Sequence, residues 1–247
     1  MKQNYKMILS YDGSRYFGWE RQPTTDMTIQ GKLEAVLHRM CGESVSVIGA
    51  GRTDAGVHAR AMAANVLLET PLTEEEIRQY MNRYLPEDIS VNELKRCGDR
   101  FHARFKASGK LYRYSCYCGE QKPVFERKYL TVLMQRPEPA RMREAAQYLV
   151  GEHDFRAFCG NPRMKKSTVR RIQSIEITEK GPYLRFYFHG SGFLQNQVRI
   201  MVGTLLEAGL GKREPLELPE ILASGDRRRA GYTAEPQGLC LMKVFYD

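Results

Sequence analysis

The sequence predicts an α+β protein, with two similar lobes of antiparallel sheet flanked by helices and a basic central cleft. Three observations carry this reading. Alternating runs such as Leu184, Phe186 and Phe188 against Tyr183, Arg185, Tyr187 and His189 have the two-residue period of strands. Runs such as Ile29, Leu33, Val36, Leu37 and Met40 have the three-and-four spacing of an apolar helix face. The two patterns alternate along 247 residues, so that each half holds several strands and at least two helices. A chain of that length forms one large domain or two small ones and buries roughly 70–75% of its surface without disulfide staples.

The elements follow in order. Lys6 to Tyr11 reads as a strand ended by the turn Asp12-Gly13-Ser14. Thr28 to Met40 reads as a helix with Gly42 as its C-cap. Val45, Val47 and Ile48 form a second strand running into Gly49-Ala50-Gly51. Thr73 and Glu76 make a capping box for a helix that carries Ile77, Tyr80, Met81 and Tyr84 on one side. Strands follow at Ile89 to Leu94 and Leu111 to Cys118; on the latter, Tyr112, Tyr114, Cys116 and Cys118 share a face. Pro137 and Pro139 mark the seam, which divides the chain into an N-terminal lobe over 1–135 and a C-terminal lobe over 136–247. After it come a helix with Met142, Ala145, Ala146 and Leu149, strands at Ile172–Ile177 and Tyr183–His189, helices over about Phe193–Ala208 and Leu216–Ala223, and a last strand from Leu239 to Phe245.

Lys plus Arg number 38 against 29 Asp plus Glu, a formal charge of +9. That excess suits a polyanionic partner, most simply nucleic acid, although a basic protein without such a partner has the same arithmetic. The charge is clustered. Lys95, Arg96, Arg100, Arg104, Lys106, Lys110 and Arg113 fall in one stretch with a single acid, Asp99; Arg163, Lys165, Lys166, Arg170 and Arg171 form a second cluster, and Arg227, Arg228 and Arg229 a third. Phe101, Phe105, Tyr112 and Tyr114 are interleaved with the first, the combination of cations and flat rings that suits RNA, while solvated loop ends are the bland alternative. No stretch approaches the roughly 20 apolar residues of a membrane helix. The opening residues turn directly into a strand-like run with no apolar core of a secretion signal, so no membrane association and a cytoplasmic location are expected. The six cysteines are scattered without a Cys-x-x-Cys pair, and we read them as reduced thiols rather than as disulfides or a zinc site.

The sharpest local feature is Gly49-Ala50-Gly51-Arg52-Thr53-Asp54-Ala55-Gly56-Val57-His58. Glycines let the backbone turn tightly and let a bulky ligand approach. A guanidinium near Asp54 keeps its carboxylate ionised, which a nucleophile requires. An ordinary Asp-Ala-Gly turn, with the carboxylate bonded to its own backbone, fits the same spacing. His58 reads as a general base or, more plainly, as a structural histidine. Gly49-Ala50-Gly51 lacks the downstream glycine of a dinucleotide fingerprint, and there is no P-loop, His-Glu-x-x-His or serine elbow.

The chain resembles the bacterial tRNA pseudouridine synthase A family over nearly its whole length. The resemblance is carried by Tyr11-Asp12-Gly13-Ser14, by Phe17-Gly18-Trp19, by Gly51-Arg52-Thr53-Asp54-Ala55-Gly56-Val57-His58-Ala59 above all, and by Phe101-His102-Ala103-Arg104-Phe105 with Lys110-Leu111-Tyr112-Arg113-Tyr114. Later blocks are Gly151-Glu152-His153-Asp154-Phe155, the segment Phe193 to Gly203, and Gln237-Gly238-Leu239-Cys240-Leu241. Small departures are Glu20 in place of Gln, Gln195 in place of a basic residue and Cys240 in place of an aromatic one.

The resemblance implies an enzyme that isomerises uridine to pseudouridine in the tRNA anticodon stem-loop, at positions 38, 39 and 40 of the family's usual substrate. It implies Asp54 as nucleophile, attacking ribose C1′ or base C6. Tyr112 would pack on the flipped base and act as general base, and Arg199 would hold Asp54 ionised. Arg52, Phe105 and Leu239 would contact substrate beside Tyr112. It further implies a homodimer, with tRNA as partner and no metal, cofactor or small-molecule partner. An RNA-binding module on the same fold that has lost catalysis, or a metal-dependent nuclease, are the competing classes; the first would lack the chemistry of Asp54, Tyr112 and Arg199, and the second needs a carboxylate or histidine cluster that the sequence does not display.

Overall fold

A computed structural model describes residues 2–161 and 163–247. Along the chain lie β1 (Gln3–Tyr11), α1 (Ile29–Cys41), β2 (Ile48–Gly49), β3 (His58–Leu68), α2 (Glu74–Tyr84), β4 (Ile89–Arg96), β5 (Ala107–Tyr117), β6 (Thr131–Val132), α3 (Pro139–Gln147), β7 (Gly151–Asp154), β8 (Val169–Lys180), β9 (Tyr183–Gly190), α4 (Gln197–Gly209), α5 (Leu218–Ser224) and β10 (Leu239–Tyr246). The chain divides into two compact units, one of residues 1–108 with 240–247 and one of residues 109–239. Both are α+β, with mostly antiparallel sheet and packed helices, as the patterning predicts.

The division lies at Ser108–Gly109, inside β5, rather than at 135/136. The proline-rich stretch at 137–139 is a helix entry instead: Pro139 occupies the first turn of α3, where its missing N–H costs nothing. The last strand belongs with the first unit because β10 runs parallel to β3, with Cys240 opposite His58. Such long-range pairing leaves no local mark in the sequence.

In the first unit the strand order is β4-β1-β3-β10, with β2 on β3. On β1, Tyr5, Met7, Leu9 and Tyr11 point into the core and are at most 4% exposed. Helix α1 starts on Thr28, whose side chain accepts from the Gly31 N–H, and ends on Gly42 in the left-handed conformation (φ 73°). Ile29, Leu33 and Leu37 form its buried stripe. The Thr73–Glu76 capping box is present in both directions, and Ile77 and Met81 seat α2.

In the second unit the order is β5-β9-β8-β7, all antiparallel, with β6 alongside β5 in parallel. Tyr112, Tyr114 and Cys116 stand opposite Phe188, Phe186 and Leu184, and together they line the sheet face of the core. Helix α4 is buried on nearly all sides, down to Gln197 and Thr204, so its apolar spacing marks a central helix and not a surface one. All six cysteines are free thiols. Burial pushes the Cys116 thiol far up, which suits an inert core residue. Among the described residues, no helix is long and apolar enough to cross a membrane.

Candidate active site

The glycine-rich turn of the first unit carries Asp54, and it is clamped by the loop that follows β1. Five contacts join the two loops and the strand ends beside them. The Trp19 N–H donates to the Thr53 carbonyl (3.0 Å), and the Gly56 N–H donates to the Tyr16 carbonyl (3.3 Å). The hydroxyls of Tyr11 and Thr53 share a buried hydrogen bond of 2.9 Å. The Gly13 N–H donates to Nδ1 of buried His58 (3.0 Å), and the Trp19 indole lies directly over Gly49. Glycine is needed where the backbones touch. A Cβ on Gly13 would stand 2.0 Å from the Val57 carbonyl oxygen; one on Gly18, whose φ is +96°, would stand 2.7 Å from that of Thr53.

The Asp54 carbonyl accepts the Val57 N–H (3.1 Å), which closes the turn, and the Asp54 residue is half-buried. Its carboxylate is thereby carried by backbone that cannot easily relax. The clamping loop is anchored in turn by Tyr16, whose hydroxyl donates to Asp88 (2.6 Å); burial, then that bond, pushes the phenol up to about 12. His58 acts here as a buried acceptor for a loop N–H, 3.2 Å from the Asp12 carboxylate, which is the structural role of the two open to it. Arg52 sits on the same turn but is exposed and donates to the Glu20 carboxylate.

The other sequence-predicted residue of this unit, Phe105, stands on the loop after β4. That loop is held rigidly. The Asn65 side chain accepts the Ala103 N–H (2.8 Å), the Tyr246 hydroxyl donates to the Ala103 carbonyl (2.7 Å), and the Asn4 amide donates to the Phe101 carbonyl (2.9 Å). His102 Nδ1 accepts the N–H groups of Arg104 and Phe105, at 3.2 and 3.3 Å. The outcome is a ring step: Phe105 is 79% exposed and stacks on the His102 imidazole at 4.1 Å and 26°, with Arg104 exposed beside it.

Tyr112, Arg199 and Leu239 lie in the second unit. Tyr112 is buried on β5 and meets Phe193 edge to face, with centroids 5.2 Å apart. Arg199 sits in the first turn of α4. Its Nε donates to the Ala234 carbonyl (2.7 Å) and its Nη1 to Oδ1 of Asn196 (3.1 Å). Leu239 opens β10 and is 6% exposed; the preceding Gly238 lies against the Tyr114 ring, where a Cβ would stand 2.6 Å from it.

Residues 7–106 and 145–247 match the family model described as tRNA pseudouridine synthase. A tRNA pseudouridine synthase A of Bacillus sp. (strain KSM-64) is 46% identical over 243 residues, spanning 98% of this chain and 99% of that protein. The chain belongs to the tRNA pseudouridine synthase family. It is an enzyme of that family, an isomerase that converts uridine to pseudouridine in tRNA. A tRNA pseudouridine synthase A 2 of Bacillus cereus (strain ZK / E33L) is 42% identical over 241 residues and one of Clostridium perfringens (strain 13 / Type A) 39% over 244, each covering at least 98% of both chains. Among solved structures, a Cbf5–Nop10–Gar1 complex overlaps 96% of this chain and 48% of that one at 13% identity and a TM-score of 0.42.

In this synthase, further residues hold the named ones: Glu20 on Arg52, His102 under Phe105, Phe193 against Tyr112, and Asn196 and Ala234 on Arg199. Glu20 is one of the departures from the family pattern, and His102, Phe193 and Asn196 lie in blocks that carry the resemblance. The contacts themselves are loop, turn or tertiary geometry that no periodicity encodes.

Proposed function

We propose that this synthase acts on uridines 38, 39 and 40 in the anticodon stem-loop of tRNA, with Asp54 as its nucleophile. The observation that carries the reading is the half-buried Asp54 on a turn clamped at both ends. The reaction must break the N1–C1′ glycosidic bond, turn the base, and join C5 to C1′; a proton leaves C5 and N1 gains one. The base therefore leaves its stack and stays trapped during the turn. The Asp54 carboxylate either displaces the base from ribose C1′ and is displaced in turn as C5 attacks C1′, or adds to base C6 and departs once the C5–C1′ bond has formed. Arg199 keeps that carboxylate ionised. Tyr112 packs on the extruded base and takes the C5 proton. Arg52 contacts phosphate or fills the space that the base leaves, while Phe105 and Leu239 contact the RNA. We also assign to the reading a homodimer working in the cytoplasm. Release of tritium from tRNA labelled at uridine C5 tests it: wild-type enzyme should release label, and a tRNA with cytidine at 38, 39 and 40 should release none. Absence of release from the first substrate overturns the activity, and release from the second overturns the choice of arm.

Two substitutions separate charge from stacking in the RNA contact. Glu20→Gln should leave Arg52 available to phosphate, tightening tRNA binding about two- to fivefold at low salt, because exposed ion pairs are weak. It should also steepen the slope of log Kd against log salt by about one, the signature of one more phosphate contact. Phe105→Ala should weaken binding by roughly tenfold, since a stacked base is worth about 1–3 kcal/mol, and should leave that slope unchanged. Filter-binding titrations across salt concentrations read both.

A further inference from the structure

The first turn of α4 departs from the usual way a helix begins. Asn196, its N-cap, has φ 58° and ψ 4°, and it is the one non-glycine residue with positive φ among the described residues. L-residues avoid that region; asparagine tolerates it best, and where it persists the surroundings impose it. An asparagine at an N-cap ordinarily has extended backbone and accepts a first-turn N–H with its side chain. This one makes no such cap bond. The turn is closed by other groups, with the Asn196 carbonyl accepting the Ile200 N–H (2.9 Å) and Gln197 Oε1 accepting the Leu194 N–H (2.8 Å).

The amide of Asn196 is turned to a different use. Its Oδ1 accepts from Arg199 Nη1 at 3.1 Å, three residues along, while the Ala234 carbonyl accepts from Nε at 2.7 Å. Together the two acceptors fix the plane of the guanidinium. Space for the amide is also built. A Cβ on Gly160 would stand 2.5 Å from Asn196 Nδ2 and 3.1 Å from its Cβ, and Gly160 is itself held by its N–H donating to the Gln195 carbonyl (2.8 Å).

We propose that Asn196 is a positioning residue for pseudouridine formation. Its left-handed backbone aims the amide oxygen at Arg199, the bare backbone of Gly160 admits the amide, and the guanidinium is thereby presented in one orientation. The inference rests on the reading of Arg199 as part of the reactive set.

Asn196→Gly tests it well, because glycine adopts φ 58° without strain and deletes only the amide. The melting temperature should be unchanged or higher, and KM for tRNA close to that of wild type. The single-turnover rate should fall on the order of tenfold, as for loss of a hydrogen bond to a charged group. Asn196→Asp, which keeps the acceptor oxygen, should restore most of the rate. Gly160→Ala, which crowds the amide, should lower it as Asn196→Gly does. In an Arg199→Gln background, Asn196→Gly should cost nothing further, since both act through one guanidinium. A wild-type rate in Asn196→Gly with Arg199→Gln impaired overturns the inference alone. Additive losses in the double variant, or no rescue by aspartate, overturn it in favour of a purely structural asparagine. A wild-type rate in Arg199→Gln overturns the role of Arg199, and the inference with it.

Discussion

Asp54→Ala is expected to abolish tritium release from C5-labelled tRNA, by at least about 10⁴-fold, while tRNA binding stays within about threefold of wild type. The size follows from the proposed role: without a nucleophile there is no covalent step, and residual turnover reflects binding alone. The fold should survive, because the turn is held by groups other than the carboxylate. The Asp54 carbonyl accepts from Val57, the Thr53 carbonyl from Trp19, and the Thr53 hydroxyl from Tyr11. Asp54→Asn sharpens the test. Asparagine caps a turn about as well as aspartate does, so the ordinary-turn reading expects near-normal turnover from it. The nucleophile reading expects none, because a carboxamide oxygen does not serve as the attacking group. Normal tritium release from Asp54→Asn would remove Asp54 from the chemistry, whatever the alanine variant does.

Gly203→Ala should be the most damaging small substitution in the second unit. Position 203 lies inside α4, where alanine normally stabilises a helix. Here a Cβ would stand 1.9 Å from the Tyr232 carbonyl oxygen, well inside the 3.0 Å that Cβ contacts respect. The obstacle is backbone, and it is tied down. The Gly231 N–H donates to the Thr204 hydroxyl (2.9 Å), and the Ala234 N–H donates to the Arg199 carbonyl (3.1 Å). The helix and the 231–234 segment must therefore part, at a cost of about 3 kcal/mol, the upper end for overpacking. A loss of about 3 kcal/mol in a chain of this size lowers the melting temperature by roughly 6–12 °C. Activity should fall as well below the melting transition, because the displaced segment carries the Ala234 carbonyl that holds Arg199. Calorimetry and tritium release at a temperature where the variant is folded would check the two effects separately. A wild-type melting temperature would show that the helix and the segment are not locked together.

The elements that were legible in the sequence share a feature: their signals are local. The Thr28 and Gly42 caps of α1, the Thr73–Glu76 box of α2 and the alternation of β9 lie within a few residues of what they cap or pattern, and all are found as read. The largest omission, β3, is central and has the opposite character. His58–Leu68 carries four alanines, and Met62 to Val66 are buried in succession, so it shows neither alternation nor β-branched enrichment. Its neighbours β1, β2 and β10 supply the hydrogen bonds that make it a strand. Conversely, Val45 and Val47 have strand-forming side chains, but pairing begins only at Ile48. Helix α4 starts at Gln197 and not at Phe193, because Asn196 turns left-handed before it.

The site divides along the same line. The Asp54 turn stands out in sequence because glycines, a guanidinium and a carboxylate fall within eight residues, Gly49 to Gly56, and the family resemblance names the rest. By itself, the sequence determined the fold class, the caps of α1 and α2, the clustering of basic charge and the family, since each is written in residues close together or in a continuous motif. Tertiary structure alone decided that His58 is a buried acceptor for the Gly13 N–H, that Arg52 meets Glu20, and that Asn196 and Ala234 hold Arg199. Those contacts depend on where the backbone passes within hydrogen-bonding reach of itself, and that is fixed by the packing of the whole chain.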